Sequence, residues 1–274
     1  MCKICTPKFI VRKNVQQAAG INDRFWKTGR TITIKFLGGS AAQQAMVKKV
    51  AAQWLEYANV KFEYVGPGIG ADVRISFVAG SAWSYIGRDA LLIDAYQATM
   101  NLGYLDQATI LHEFGHMLGL IHEHQNPKGG INWNKPQVYD DLTGPPNWWD
   151  KQTVDINMFD RLSIDLLRVT AVDKSSIMMY AIPISWTTDG FFTDWNEELS
   201  AVDKAFIGTV YPFESDKLEY EELLRSIFKT RKEINRMYET NIVLMGRKLG
   251  LPTDMGKRKR DNVRIVSDFL FSNN

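Results

Sequence analysis

Apolar and polar positions change their period several times along the first two-thirds of this 274-residue chain. Thr31-Ile-Thr-Ile-Lys-Phe-Leu37 alternates with period two and is rich in β-branched residues, which predicts a half-buried strand. Ser40 then offers a helix N-cap. Beyond it Ala45, Val47, Val50, Ala51, Trp54 and Leu55 recur at helical spacing and predict a helix to about Ala58. Strands are predicted at 60–65 and 72–78, divided by Gly66-Pro-Gly-Ile-Gly70, and again at 83–87 and 99–102. Helical spacing returns over 106–118. Residues 126–150, rich in Pro, Gly, Asn and Trp, predict ordered loop, and 151–180 one short helix. Residues 199–210 predict a helix that Tyr211-Pro212 stops. The fold class this implies is α+β: a small sheet with a backing helix, a second helix, and a largely irregular lower half.

After Pro212 the pattern coarsens. Lys217–Leu249 carries Leu218, Leu223, Leu224, Ile227, Phe228, Ile234, Met237 and Tyr238 among many charges, the spacing of an amphipathic helix docked on a larger body. The division predicted is an N-terminal extension 1–28, a main body 29–212 and a helical C-terminal extension 213–274 with a basic end.

Composition changes this picture little. The chain is 45% hydrophobic and 23% charged, as a globular domain is, and no apolar run approaches the ~18 residues of a membrane helix. No membrane partner is expected. The net charge of +2 is uneven: residues 214–274 hold 13 Lys and Arg against 10 Asp and Glu, so the preceding body is slightly acidic. Lys257-Arg-Lys-Arg260 is a short basic run of the kind that is usually solvated, and no nucleic-acid partner is expected. Cys2 and Cys5 form one Cys-x-x-Cys at the start, without a second pair to complete a zinc site and without a βαβ pattern for redox chemistry. The opening MCKICTPKFIVRKN contains no apolar core of a signal peptide, so the expectation is cytoplasmic residence or leaderless export, or a leader already removed.

The histidines change it a great deal. All four fall within 112–124, as His112-Glu-Phe-Gly-His116-Met-Leu-Gly119-Leu-Ile-His122-Glu-His124. On a helix His112 and His116 project from one face and share one ion. Gly119, free to take a positive φ, lets the chain leave the helix sharply and bring His122 to the same ion. Three imidazoles leave one tetrahedral position open, the arrangement of a catalytic zinc ion. Glu113 has the chemistry of the general base that deprotonates a zinc-bound water and passes the proton to a leaving amine. The expectation is one zinc ion; His124 lies outside the ligand set and is expected to face solvent.

His-Glu-x-x-His-x-x-Gly-x-x-His resembles the motif of the metzincin zinc proteases, and Ser176-Ile-Met178-Met179-Tyr180 resembles their Met-turn. Glu123 after the third histidine, the segment Trp83-Ser-Tyr-Ile-Gly87, and Leu199-Ser200 with Asp203 and Tyr211-Pro212 are similar to the astacin family within that group. The likeness spans about 29–212. It implies a metzincin-type fold and a zinc endopeptidase. Met178 is then the floor under the metal, and Tyr180 the residue that ligates zinc at rest and swings to stabilise the tetrahedral intermediate. A protein or peptide substrate would lie extended along the edge strand at Trp83, Ser84 and Tyr85. Glu123 would contact the matured N-terminus. Two departures stand out: Ala82 occupies the place of a family cysteine, and the chain before Gly29 exceeds a mature N-terminus of that kind, which leaves open whether trimming before Gly29 activates it. A competing reading is a zinc-binding interaction module with an inactive or secondary protease site and a partner-binding tail. Oligomeric state leaves no signature in the sequence.

Overall fold

In a computed structural model, the described residues are Lys8, 24–126, 130–145, 147–160, 172–216, 219, 234–235, 239–253 and 257–271. Cys2, Cys5 and most of the Lys217–Leu249 stretch lie outside them.

Five strands form one sheet: β1 Thr31–Phe36, β2 Lys61–Tyr64, β3 Val73–Ser76, β4 Ala82–Ser84 and β5 Met100–Leu102. Their order is β2-β1-β3-β5-β4. All pairings are parallel except β4 against β5, where Trp83 faces Asn101, so the mixed sheet ends in an antiparallel edge strand. The alternation read in β1 is real: Ile32 and Ile34 are fully buried while Thr31 is exposed. The edge strand is shorter than the sequence pattern predicts. From Gly87 the chain turns into a 3₁₀ segment, and the Gly87 φ of 52° is one that other residues rarely adopt.

Helix α1, Ala41–Ala51, starts in a capping box: the Ser40 hydroxyl accepts from Gln43 N–H, and the Gln43 side chain accepts from Ser40 N–H. It tightens to 3₁₀ over Ala52–Glu56, so the regular helix ends before the Ala58 that its periodicity predicts. Helix α2, Gln107–Met117, is capped by Asp106, whose carboxylate accepts from Thr109 N–H at 2.8 Å. The two pack together beside the sheet. Val47, Val50 and Trp54 share one core with Ile32, Ile75, Met100, Ile110, Leu111 and Phe114. Trp54 is fully buried, and its indole N–H donates to Leu111 C=O at 3.0 Å, so its one polar atom is satisfied.

Below this lies a second core of Ile131, Val138, Leu142, Val154, Met158, Met179, Tyr180, Ile182 and Trp186. Part of it is a helix where loop was expected: α3, Lys135–Thr143, with Pro136 in its first turn, where a missing N–H costs nothing. Loop-like composition hid the buried pair Val138 and Leu142. Helix α4, Lys151–Val154, widens into a π-helical turn to Phe159. Helix α5, Ala201–Val210, is followed by Tyr211 as expected, and α6, Glu239–Lys248, docks on it. Helices α6 and α7, Lys259–Phe271, make a third small core with Ile242, Met245, Val266 and Leu270. The α+β outline, with its irregular lower half and helical C-terminal extension, is the one the sequence predicts. Among the described residues no helix is long and apolar enough to cross a membrane.

Candidate metal centre

Helix α2 is buried on every side from Ala108 to Met117, so His112 and His116 project into protein rather than solvent. At its end Gly119 takes φ 99°, and the bonds Gly119 N–H to His116 C=O and Leu120 N–H to Gly115 C=O close the last turn. A side chain at residue 119 would also strike the Phe25 ring. The released chain turns back, and His122 Nε2 comes to 3.1 Å from His116 Nε2 and 3.2 Å from His112 Nε2.

The outer ring nitrogens fix what those inner atoms are. His112 Nδ1 lies 2.7 Å from Ile177 C=O and His116 Nδ1 2.9 Å from Leu120 C=O. A carbonyl only accepts, so both Nδ1 atoms carry the proton and both Nε2 atoms present lone pairs. At most one contact among the three Nε2 atoms is then a hydrogen bond. Burial favours neutral rings: it lowers the pKa of His112 to about 4, and burial together with the neighbouring histidines holds His116 and His122 well below the usual value. Two obligate lone pairs and the His122 Nε2 thus converge in a buried pocket, where a neutral His122 protonated at Nδ1 would complete a set of three donors for one cation. Zinc–nitrogen bonds of about 2.0–2.1 Å at tetrahedral angles place ligand atoms about 3.3 Å apart, close to the observed separations.

Glu113 is fully buried beside the first ligand. Met178 packs in the upper core, its sulfur against Gly115, while Met179 and Tyr180 belong to the lower core. Tyr180 is 2% exposed, with ring centroids 4.2 Å from His122, 4.6 Å from His124 and 6.2 Å from His112. The Met-turn is held by Asp203 at the start of α5: one oxygen accepts from the Ser176 hydroxyl, the other from Ile177 N–H, both at 2.7 Å. Glu123 N–H in turn donates to Met178 C=O at 3.0 Å. The loop carrying His122 and the Met-turn are thus one hydrogen-bonded unit. The Glu123 carboxylate accepts from Asn126 and from Asp173 N–H, each at 3.1 Å, and burial raises its pKa.

His124 corrects the sequence reading. It is 3% exposed, its Nε2 donates to Asn157 C=O at 2.8 Å, and its ring stacks on Tyr180. Ligand spacing excludes it from the metal, and nothing in the linear order shows that Tyr180 covers it. Gly115 and Asp203 also escaped a site reading. The first spaces the helix from Met178; the second clamps the turn from another helix. Trp83 and Tyr85 lie half-buried on one face of the edge strand, ring centroids 6.1 Å apart, and Ser84 points inward. Helix α2 packs against this strand.

The model of the astacin peptidase family matches residues 19–135. A solved structure of myroilysin is 40% identical, covers 71% of this chain and 98% of that chain, and superposes with a TM-score of 0.68. The chain belongs to the astacin family. A second crystal structure of myroilysin is 38% identical over 77% of this chain and 92% of that one, with a TM-score of 0.57. The zinc metalloproteinase nas-30 of Caenorhabditis elegans is 24% identical over 216 residues, 78% of this chain. The chain spans about a quarter of that curated relative's length. As an astacin-family zinc metalloprotease the chain takes one zinc ion, and His112, His116 and His122 are the cluster placed to bind it.

Proposed function

We propose that this chain is a zinc-dependent endopeptidase that hydrolyses peptide bonds of proteins, with His112, His116 and His122 as ligands, Glu113 as general base and Tyr180 as oxyanion donor. The observation that carries this reading is the trio of Nε2 atoms, two of them obligate lone pairs, beside a buried glutamate. Zinc bound there supplies Lewis acidity, polarising the scissile carbonyl and acidifying water. Glu113 takes the proton of the attacking water and returns it to the amine nitrogen as the C–N bond breaks. The Tyr180 phenol donates to the oxyanion that develops on the former carbonyl. Met178 supports the ligand cluster from below. Gly119 lets His122 turn in, and Glu123 ties that loop to Asp173.

Trp83, Ser84 and Tyr85 offer substrate an edge to pair with through main-chain bonds. The edge already takes one main-chain partner: Lys8 N–H donates to Ser84 C=O at 2.9 Å, and Ile86 N–H to Lys8 C=O at 3.0 Å. In this reading the catalytic body begins by Arg24 rather than Gly29. Trp26 donates from its indole to Met117 C=O and from its backbone N–H to the Tyr211 hydroxyl. Within 213–274, helix α6 docks on α5 and α7 packs on α6.

The test is zinc content together with casein or gelatin cleavage by the intact protein and by Glu113→Ala. One equivalent of zinc in both, with chelator-sensitive cleavage in the first alone, supports the endopeptidase. Zinc without Glu113-dependent cleavage overturns it and leaves the interaction-module reading.

A further inference from the structure

Lys8 does more than extend the sheet. Its main chain pairs in parallel with the edge strand opposite Tyr85, and its ammonium stands over the Trp83 ring, 3.5 Å from the centroid. The Tyr85 ring lies 5.9 Å from the same nitrogen. The two rings meet edge-to-face on the strand's half-buried side, and Ser84 between them points into the core. A cation over an indole face gains quadrupole attraction that an apolar chain of equal length does not, and carboxylates are repelled there.

We propose that Trp83 and Tyr85 form a specificity subsite for a lysine or arginine side chain of a peptide laid along the edge strand, and that Lys8 occupies it from within the chain. The inference rests on the protease reading for its place in catalysis, but the recognition is a binding property that is measured without turnover. Main-chain pairing fixes the peptide's axis and register and is blind to sequence. The aromatic pair supplies the sequence-dependent part, because side chains two residues apart on a strand share a face.

The experiment titrates fluorescein-labelled alanine pentapeptides, with Lys, Arg, norleucine or Glu at the centre, against zinc-loaded full-length protein carrying Glu113→Ala and Lys8→Ala. Lysine and arginine peptides are expected to bind about fivefold more tightly than norleucine, the gain of a cation–π contact of about 1 kcal/mol, with glutamate weakest. Adding Trp83→Leu brings the Lys-to-norleucine ratio to near one, and Trp83→Phe keeps part of it. Tyr85→Leu, a second and smaller lesion, lowers the ratio less. Restoring Lys8 weakens the lysine peptide more than the norleucine peptide. Equal binding of Lys and norleucine, or a preference that survives Trp83→Leu, overturns the subsite.

Cleavage of the same peptide pairs by the Lys8→Ala protein with Glu113 intact separates the two readings. Lysine-selective binding without any cleavage overturns the protease and supports the subsite. Cleavage indifferent to lysine overturns the subsite alone.

Discussion

The sulfur of Met178 occupies the space that any side chain at residue 115 would need, so Gly115 and Met178 share one site in the middle of the molecule. Gly115→Ala adds a better helix former but forces that sulfur to move. Overpacking of a core costs about 1–3 kcal/mol against a propensity gain of about 1 kcal/mol at most. The urea midpoint of Gly115→Ala is expected to fall, and its zinc affinity with it, because Ile177, which orients His112, adjoins Met178. A variant as stable as the parent would show that the close approach carries no constraint.

Tyr180→Phe keeps the ring that stacks on His124 and lies tilted against His122, and removes only the hydroxyl. With zinc retained, kcat is expected to fall by about 10²–10³ with little change in KM, the signature of a donor used in the transition state. A fall confined to KM would assign the phenol to substrate binding instead.

Asp203→Ala removes the acceptor shared by the Ser176 hydroxyl, Ile177 N–H and Ser200 N–H. Stranding buried donors costs about 1–3 kcal/mol each, so a thermal midpoint lower by several degrees is expected. Zinc affinity should drop by about 10–100-fold as well, since the Ile177 carbonyl that fixes the His112 ring loses its anchor. Competition with a chromogenic chelator reads this directly.

Acid should loosen the metal-free protein. Burial depresses His112 and His124 to about 4, against 6.5 in the unfolded chain. The unfolded chain therefore takes up protons first as pH falls. The stability from these neutral rings is complete above about 6.5 and is lost between there and about 4, at up to about 1.4 kcal/mol per pH unit for each group. Urea midpoints of chelator-treated protein across this window measure the loss, and His124→Gln should flatten it. A midpoint independent of pH between 6.5 and 4 would falsify the assignment.

Much of the fold was legible because it rests on local patterns. Thr31–Phe36 alternates because one face of β1 meets the core, and Ser40 marks the start of α1 by its side-chain chemistry. The histidine cluster was legible for the same reason: helical spacing and one glycine bring the three rings together. What the sequence hid is long-range. The burial of His124 depends on Tyr180, fifty-six positions on, and on the Asn157 carbonyl. The clamp on the Met-turn comes from α5, and helix α3 lay concealed in a composition suited to loops. No local period records which distant surface will cover a polar side chain.

Ile177 and Met178 belong to the upper core, Met179 and Tyr180 to the lower, so four consecutive residues join the two halves. Neither half can melt without pulling this seam away from the histidines it orients. The consequence is cooperativity. The body from Arg24 to Pro212 should lose heat stability in one transition, with the metal cluster dissolving at the same temperature as both cores, rather than surviving in one of them.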